Sequence, residues 1–264
     1  MIREISVCVK GGGDLASGVA WRLHRCGFRV LITEISRPMA VRRRVAFSEA
    51  VYDGHAEVEG VGARLVQAPD EVSRVWDQGR IPLLVDPECR VAKTLAPRVM
   101  VDAILAKKNT GTRMEDAPLV IALGPGFEAG RDAHFVVETN RGHYLGRLIT
   151  EGSAEPNTGV PGAVAGISVD RVLRAPCEGI WESGCEIGEM VSRGDTLGSV
   201  DGQPVKALIN GVLRGMIRPG IPVTAGLKIG DIDPRGVREH CFTISEKALA
   251  IAGGVLEGIL ISSR

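Results

Sequence analysis

The sequence predicts an α/β protein in which a parallel-sheet domain precedes a small β-barrel module. Three observations carry this. Short β-branched runs alternate with amphipathic stretches from residue 5 to about residue 138. A glycine cluster, "KGGGD", closes the first of those runs. A gapless repeat with a 32-residue offset follows residue 170.

Ile5–Val9 is apolar and largely β-branched, as a buried parallel strand is. Gly11-Gly12-Gly13 follows. Asp14 then starts a helix-like stretch with Leu15, Val19 and Leu23 at helical spacing, and Gly27 suits its C-cap. Phe28–Thr33 is the next strand, ending at Glu34. Gly11, Gly13 and Ala16 fit G-x-G-x-x-A. In that pattern the first glycine makes a tight turn and the second lets the backbone approach a pyrophosphate. The third position lets the helix pack closely on the strand. Unpaired N–H groups at the helix N-terminus attract phosphate. Glu34, 21 residues after Gly13, stands where an acid would bind ribose hydroxyls. The domain is therefore read as Rossmann-like. Two features stand against a ligand: the glycines could simply shape a crossover, and the Asp14 carboxylate could cap the helix and repel phosphate.

Further strands are expected at His55–Val58, Ala63–Val66, Ile81–Val85, Val99–Ile104, Leu119–Leu123 and His134–Glu138, with helices at Asp70–Gln78 and Val91–Leu95. Ligands of such sheets sit beyond the carboxyl ends of the strands. Those ends carry Gly11, Gly12, Gly13 and Asp14, then Glu34, then Asp86, then Gly124 and Gly126. Two polar loops add candidates for an anionic ligand: Lys107–Gly111, with Asn109, and Glu138–Arg147, with Arg141 and His143. The same loops could also be plain solvated surface.

"TEGSAEPNTGVPGAVAG" (150–166) is rich in Gly, Pro, Ser and Asn and reads as a linker. Beyond it, Gly179 matches Gly211 at the 32-residue offset. Gly188 matches Gly220, Val191 matches Val223, Gly198 matches Gly230, and Val200 matches Ile232. Two such units, each burying its apolar face on the other, make a flattened barrel that resembles the biotinyl/lipoyl carrier domain. The tip expected at Asp201-Gly202 lacks a lysine, and Lys206 comes too late in the hairpin, so no covalent modification is expected. Ser245–Ile261 reads as a helix capped by Ser245 that packs back on the first domain. The expected organisation is 1–165, 171–235 and 236–264.

Composition narrows the classes. Lys plus Arg equals Asp plus Glu at 32 each, so no global field draws the chain to nucleic acid or anionic lipid. Glycine reaches 34 of 264 residues, roughly twice the usual share of about 7%, which suits tight turns and close approaches. None of the six cysteines forms a CxxC pair, and no metal site is expected. The N-terminal stretch shows no signal-peptide pattern, and no apolar run approaches the ~18 residues of a membrane span. A reduced, cytoplasmic protein is expected.

The stretches "KGGGDLASGVAWRLHRCGF", "DAILAKKNTGT", "PLVIALGPGFEAGRDAHFVVETNRGHYLGR", "NTGVPG" and "RVLRAPCEGIWE" resemble the YqeB family. These are accessory proteins of selenium-dependent molybdenum hydroxylases, related to XdhC-type maturation factors. The resemblance implies a maturation role, helping to insert or finish the molybdenum cofactor. Its partners would be a molybdenum hydroxylase client and a small phosphate-containing ligand. Cofactor candidates are a molybdopterin-type cofactor or NAD(P). The resemblance assigns no catalytic residue. Cys89, at a strand end, is the cysteine best placed to handle sulfur or selenium, while Cys8 and Cys26 read as packing residues. The main alternative is an NAD(P)-dependent oxidoreductase with His143 as proton donor. A pure scaffold, with purely structural glycines, is the third reading. Self-association is left open.

Overall fold

The computed structural model describes residues 4–262. The chain divides into two units. One comprises the N-terminal segment through Pro38, Ala46–Thr158, and the chain from Ile244 onward; the other comprises Met39–Val45 with Gly159–Thr243. The class is α/β, with one large mixed sheet and separate antiparallel sheets. No helix among the described residues is long and apolar enough to cross a membrane.

In the first unit the strands are β1 (Ser6–Lys10), β2 (Arg29–Glu34), β3 (His55–Val58), β4 (Val61–Val66) and β5 (Ile81–Val85), then β6 (Val99–Asp102), β7 (Leu119–Leu123), β9 (Phe135–Val137) and β10 (Leu148–Ile149). The small β8 (Glu128–Ala129) pairs with β11 (Gly152–Ser153) in a separate two-stranded sheet. The nine-stranded sheet runs β10-β9-β7-β6-β1-β2-β5-β4-β3. Everything from β4 to β9 is parallel, and only the two outer pairs are antiparallel. The apolar runs of β1, β5 and β7 follow from burial on both faces of a parallel sheet. From β1 the chain passes to β2 on one side and later returns to β6 on the other. The β1/β6 boundary is therefore the topological switch point, where such sheets leave a crevice.

Alternation along the strands sends Cys8, Leu31 and Met100 to one face. There they pack with Val72 and Val75 of α3 (Val72–Asp77) and Val91 of α4 (Val91–Leu95). The other face carries α1 (Asp14–Arg25) and α5 (Glu246–Ser262), and the one-turn α2 (Ala50–Asp53) leads into β3. These two helices approach closely because Gly18 has no side chain: a Cβ there would lie 2.8 Å from Ala248 Cβ. The last turn of α1 holds Arg22 and Arg25, whose charges suit the negative end of the helix dipole. Gly27, at φ +91°, then ends the helix by donating to His24 O (2.9 Å). Ser245 caps α5 as expected, its Oγ accepting from Ala248 N–H (3.2 Å).

In the second unit β12 (Val172–Arg174), β19 (Lys228–Asp233), β17 (Gly211–Met216) and β14 (Met190–Val191) form one sheet in that order. The other runs β16 (Gln203–Lys206), β15 (Thr196–Val200), β13 (Gly179–Glu182) and β18 (Pro222–Val223). Moving each strand by 32 residues turns the order of one sheet into that of the other. Each sheet mixes strands from both repeats, so neither repeat can bury its apolar face alone. The fully buried Trp181 fits because Gly198 has no side chain; a Cβ there would come within 2.5 Å of the indole. The β15–β16 hairpin turns on Asp201-Gly202, both at positive φ, and Lys206 sits exposed at the far end of β16. Residues 39–45 join this unit through main-chain acceptors. Arg42 donates to His240 O (2.9 Å) and Thr243 O (2.8 Å), and Arg43 donates to Met216 O (3.2 Å).

Candidate functional site

The glycine turn leaves β1 at the switch point. Gly11 adopts φ +94°, and its N–H donates to Thr33 O (2.8 Å). A Cβ on Gly11 would lie 3.1 Å from Ala103 O, so only glycine turns here without strain. Gly12 is equally enclosed: a Cβ there would meet Ser48 N at 3.0 Å. Its carbonyl accepts from Ser48 N–H (2.9 Å) and from Ser17 Oγ (3.0 Å). Gly13 differs. It is the N-cap of α1, in extended backbone (φ −66°, ψ 179°), and a Cβ there would meet no protein atom within 4 Å. Two of the three glycines are thus required by the protein itself, and the third opens outward beside the first turn of α1.

Glu34 reaches this turn. Its Oε2 accepts from Gly12 N–H and its Oε1 from Ile35 N–H, each at 2.7 Å. Burial pushes the Glu34 carboxyl up from its ordinary pKa, and these two N–H donors partly offset it. Beside the turn, the Ser48 hydroxyl is buried and has no hydrogen-bond partner among the described residues. Lys247, near the start of α5, has its ammonium pKa lowered by burial and then by Arg141. Asp14, Glu138 and Glu246 oppose that shift. Lys247 therefore marks where the α1 N-terminus and the Glu138–Arg147 loop come within electrostatic reach of each other.

The remaining expected residues have local partners. Asp86 accepts from Val91 N–H (2.8 Å) and so anchors the start of α4. Asn109 Oδ1 accepts from Gly111 and Thr112 N–H, and its Nδ2 donates to Thr112 O, each at 2.8 Å. Asn109 thus shapes its own loop. Gly124 and Gly126 make room for neighbours: a Cβ on Gly126 would lie 2.5 Å from Lys108 Cα, and one on Gly124 would collide with Thr139 Oγ1. Arg141 is ion-paired with Glu246. His143 lies exposed with its ring edge-on to Tyr144 at 5.0 Å.

Arg147 stacks over the Tyr144 ring at 4.8 Å. That pair, with Glu138, Ile149 and Ser153, lines an open pocket of about 390 Å³. Of these, Glu138 is 3% exposed and accepts N–H bonds from Asn140 (2.6 Å) and Glu155 (2.7 Å).

A polar cluster at the switch point has no counterpart in the sequence reading. Lys10 and Asp102 pair across β1 and β6. Lys10 Nζ donates to Thr112 Oγ1 (2.5 Å), Thr112 Oγ1 donates to Asp102 Oδ2 (2.6 Å), and the ammonium lies 3.5 Å from that carboxylate. All three residues are at most 7% exposed. The available signal was Lys10 directly after the apolar run Ile5–Val9 and Asp102 inside the strand expected at Val99–Ile104.

No family model matches the chain. It is 48% identical to the uncharacterized protein YqeB of Escherichia coli K12 over 255 residues, which is 97% of this chain and 47% of YqeB. The chain thus spans about half the length of that curated relative. Among solved structures, TcdA (CsdL) is similar at a TM-score of 0.35 and 12% identity, covering 100% of this chain and 89% of that one. An aspartoacylase family protein from Mesorhizobium loti reaches a TM-score of 0.28 at 12% identity, with 86% and 84% covered. Neither likeness is close enough to bear on function. The sequence similarity along nearly the whole chain is consistent with the YqeB family.

Proposed function

We propose that the first unit is a Rossmann-like domain that binds a phosphate-containing cofactor or nucleotide at Gly11–Asp14. One observation carries this reading. Gly13 is open to solvent beside the first turn of a 12-residue helix, at the sheet's switch point. The first N–H groups of a helix have no partner within it, and a phosphate there meets both donors and the positive end of the dipole. Glu34 would accept from ribose hydroxyls. The buried Ser48 hydroxyl, without a partner among the described residues, supplies a donor, and Lys247, whose ammonium pKa burial lowers, supplies a cation.

We further propose that the chain is an accessory factor for a selenium-dependent molybdenum hydroxylase, the ligand being a molybdopterin-type cofactor or a nucleotide. The support is the family resemblance of the quoted stretches. The symmetric pairing of β12–β19 supports reading the second unit as a biotinyl/lipoyl-like barrel, without a modified lysine, that meets the client.

A thermal-shift screen with NAD, NADP, CTP, GTP and molybdopterin dinucleotides tests the binding. A ligand at 100 times its Kd should stabilise by about 2.7 kcal/mol. A strain lacking the protein should make the hydroxylase polypeptide in normal amounts but leave it inactive. Full client activity without the protein contradicts the accessory role. Oxidation of NADH with a small substrate at about 1 s⁻¹ or faster would make the oxidoreductase reading the right one.

A further inference from the structure

Two cysteines meet in the core of the first unit. Cys8, fully buried in β1, and Cys89, 6% exposed just beyond β5, place their sulfur atoms 3.4 Å apart. They are 81 residues apart in sequence, and β2 lies between their strands. Cys89 sits at φ +54°, on a turn closed by its own N–H to Asp86 O (3.0 Å). The flanking Glu88 and Arg90 are exposed. One cysteine is thus held in a strand, and the other is buried on a turn whose two neighbours are exposed.

The surroundings tell the two sulfurs apart. The hydrogen bond shared with Cys8, then the Thr33 hydroxyl and the Lys10 ammonium, lower the Cys89 pKa against the opposing effects of burial and Asp86. The same hydrogen bond and full burial push the Cys8 thiol well up. Cys89, on the turn and the less buried of the two, is therefore the better placed to react first.

We propose that Cys8 and Cys89 are an oxidation site that reacts with hydrogen peroxide and closes into an intramolecular disulfide. Cys89 sulfur attacks one peroxide oxygen and the O–O bond breaks. The departing oxygen leaves as water, and Cys89 becomes a sulfenic acid. Cys8 sulfur then attacks Cys89 sulfur. The S–S bond forms, the S–O bond breaks, and the Cys8 proton leaves with the departing hydroxide as a second water. Two thiols and one peroxide give one disulfide and two waters. The sulfur pair loses two electrons and the peroxide gains them.

The test uses the reduced full chain. It is treated with hydrogen peroxide, alkylated under unfolding conditions, digested and analysed by mass spectrometry with and without prior reduction. The expected product is one cross-linked peptide pair joining Cys8 to Cys89, lost on reduction. Exposed Cys26 gives no such link. In a Cys8→Ala protein, Cys89 should instead accumulate oxygen adducts, since nothing resolves its sulfenic acid. The proposal is overturned if Cys8 and Cys89 are both alkylated as free thiols at peroxide levels that oxidise Cys26. It is overturned equally if wild-type Cys89 is oxidised without forming the cross-link.

Discussion

Gly13→Val separates a structural glycine turn from a binding one. The backbone at Gly13 is extended, which valine favours, and no protein atom lies within 4 Å of an added Cβ. Stability should therefore change by no more than about 0.5 kcal/mol. Any change should be a gain, because the unfolded chain loses freedom when glycine is replaced. Binding should suffer heavily. A valine over the first turn of α1 would deny a phosphate at least two charge-assisted hydrogen bonds, each worth about 1.5–3 kcal/mol. At about 1.4 kcal/mol per decade, affinity should fall roughly 10²- to 10⁴-fold. The assay is ligand-induced thermal shift. At 100 Kd the wild type should gain about 2.7 kcal/mol, about 5–10 °C for a chain of this size, and Gly13→Val should gain almost nothing. A folded Gly13→Val protein with an undiminished shift would refute the reasoning. Gly12→Ala is the contrasting control. Its Cβ would press on Ser48 N at 3.0 Å, so it should lose about 1–3 kcal/mol of stability by overpacking.

The other predictions concern charge and packing. Lys10→Met strands the buried Asp102 carboxylate and should cost about 3–5 kcal/mol in denaturant unfolding; the double variant Lys10→Met/Asp102→Leu should recover much of it. Burial raises the Glu34 pKa in the folded state. Its contribution is therefore fully present below the ordinary carboxylate pKa and is lost as pH rises through the raised folded value. The stability of Glu34→Gln across that window should stay flatter than the wild type's. In the second unit Gly198→Ala drives a Cβ into Glu182 O and the Trp181 ring, whereas its repeat mate Gly230 faces chiefly the movable Leu173 side chain, at 2.7 Å. Gly198→Ala should therefore lower the denaturant midpoint more than Gly230→Ala.

Much of the architecture was legible because it rests on local pattern. The apolar runs at 81–85 and 119–123 gave strands at those bounds, since burial on both faces of a parallel sheet leaves a continuous apolar signature. The 32-residue repeat was legible because both sheets use the same glycines and apolar positions. What was hidden depends on distant partners. Lys10 and Thr112 are 102 residues apart, and Cys8 and Cys89 are 81 apart. No local pattern marks segment 39–45 as part of the second unit; its place depends on Arg42 finding carbonyls about 200 residues away. Asp86 and Asn109 are strand-end or loop polar residues, as ligand-binding ones are, yet both bond nearby backbone. Sequence alone cannot distinguish an acceptor turned inward to its own loop from one turned outward to a ligand.

The most direct test of the central claim is a crystal structure of the chain with the best stabilising dinucleotide from the thermal screen. The pyrophosphate should lie against the first turn of α1 beside Gly13, with a ribose hydroxyl on the Glu34 carboxylate. A dinucleotide bound instead in the pocket of Tyr144 and Arg147, with the glycine turn untouched, would contradict it.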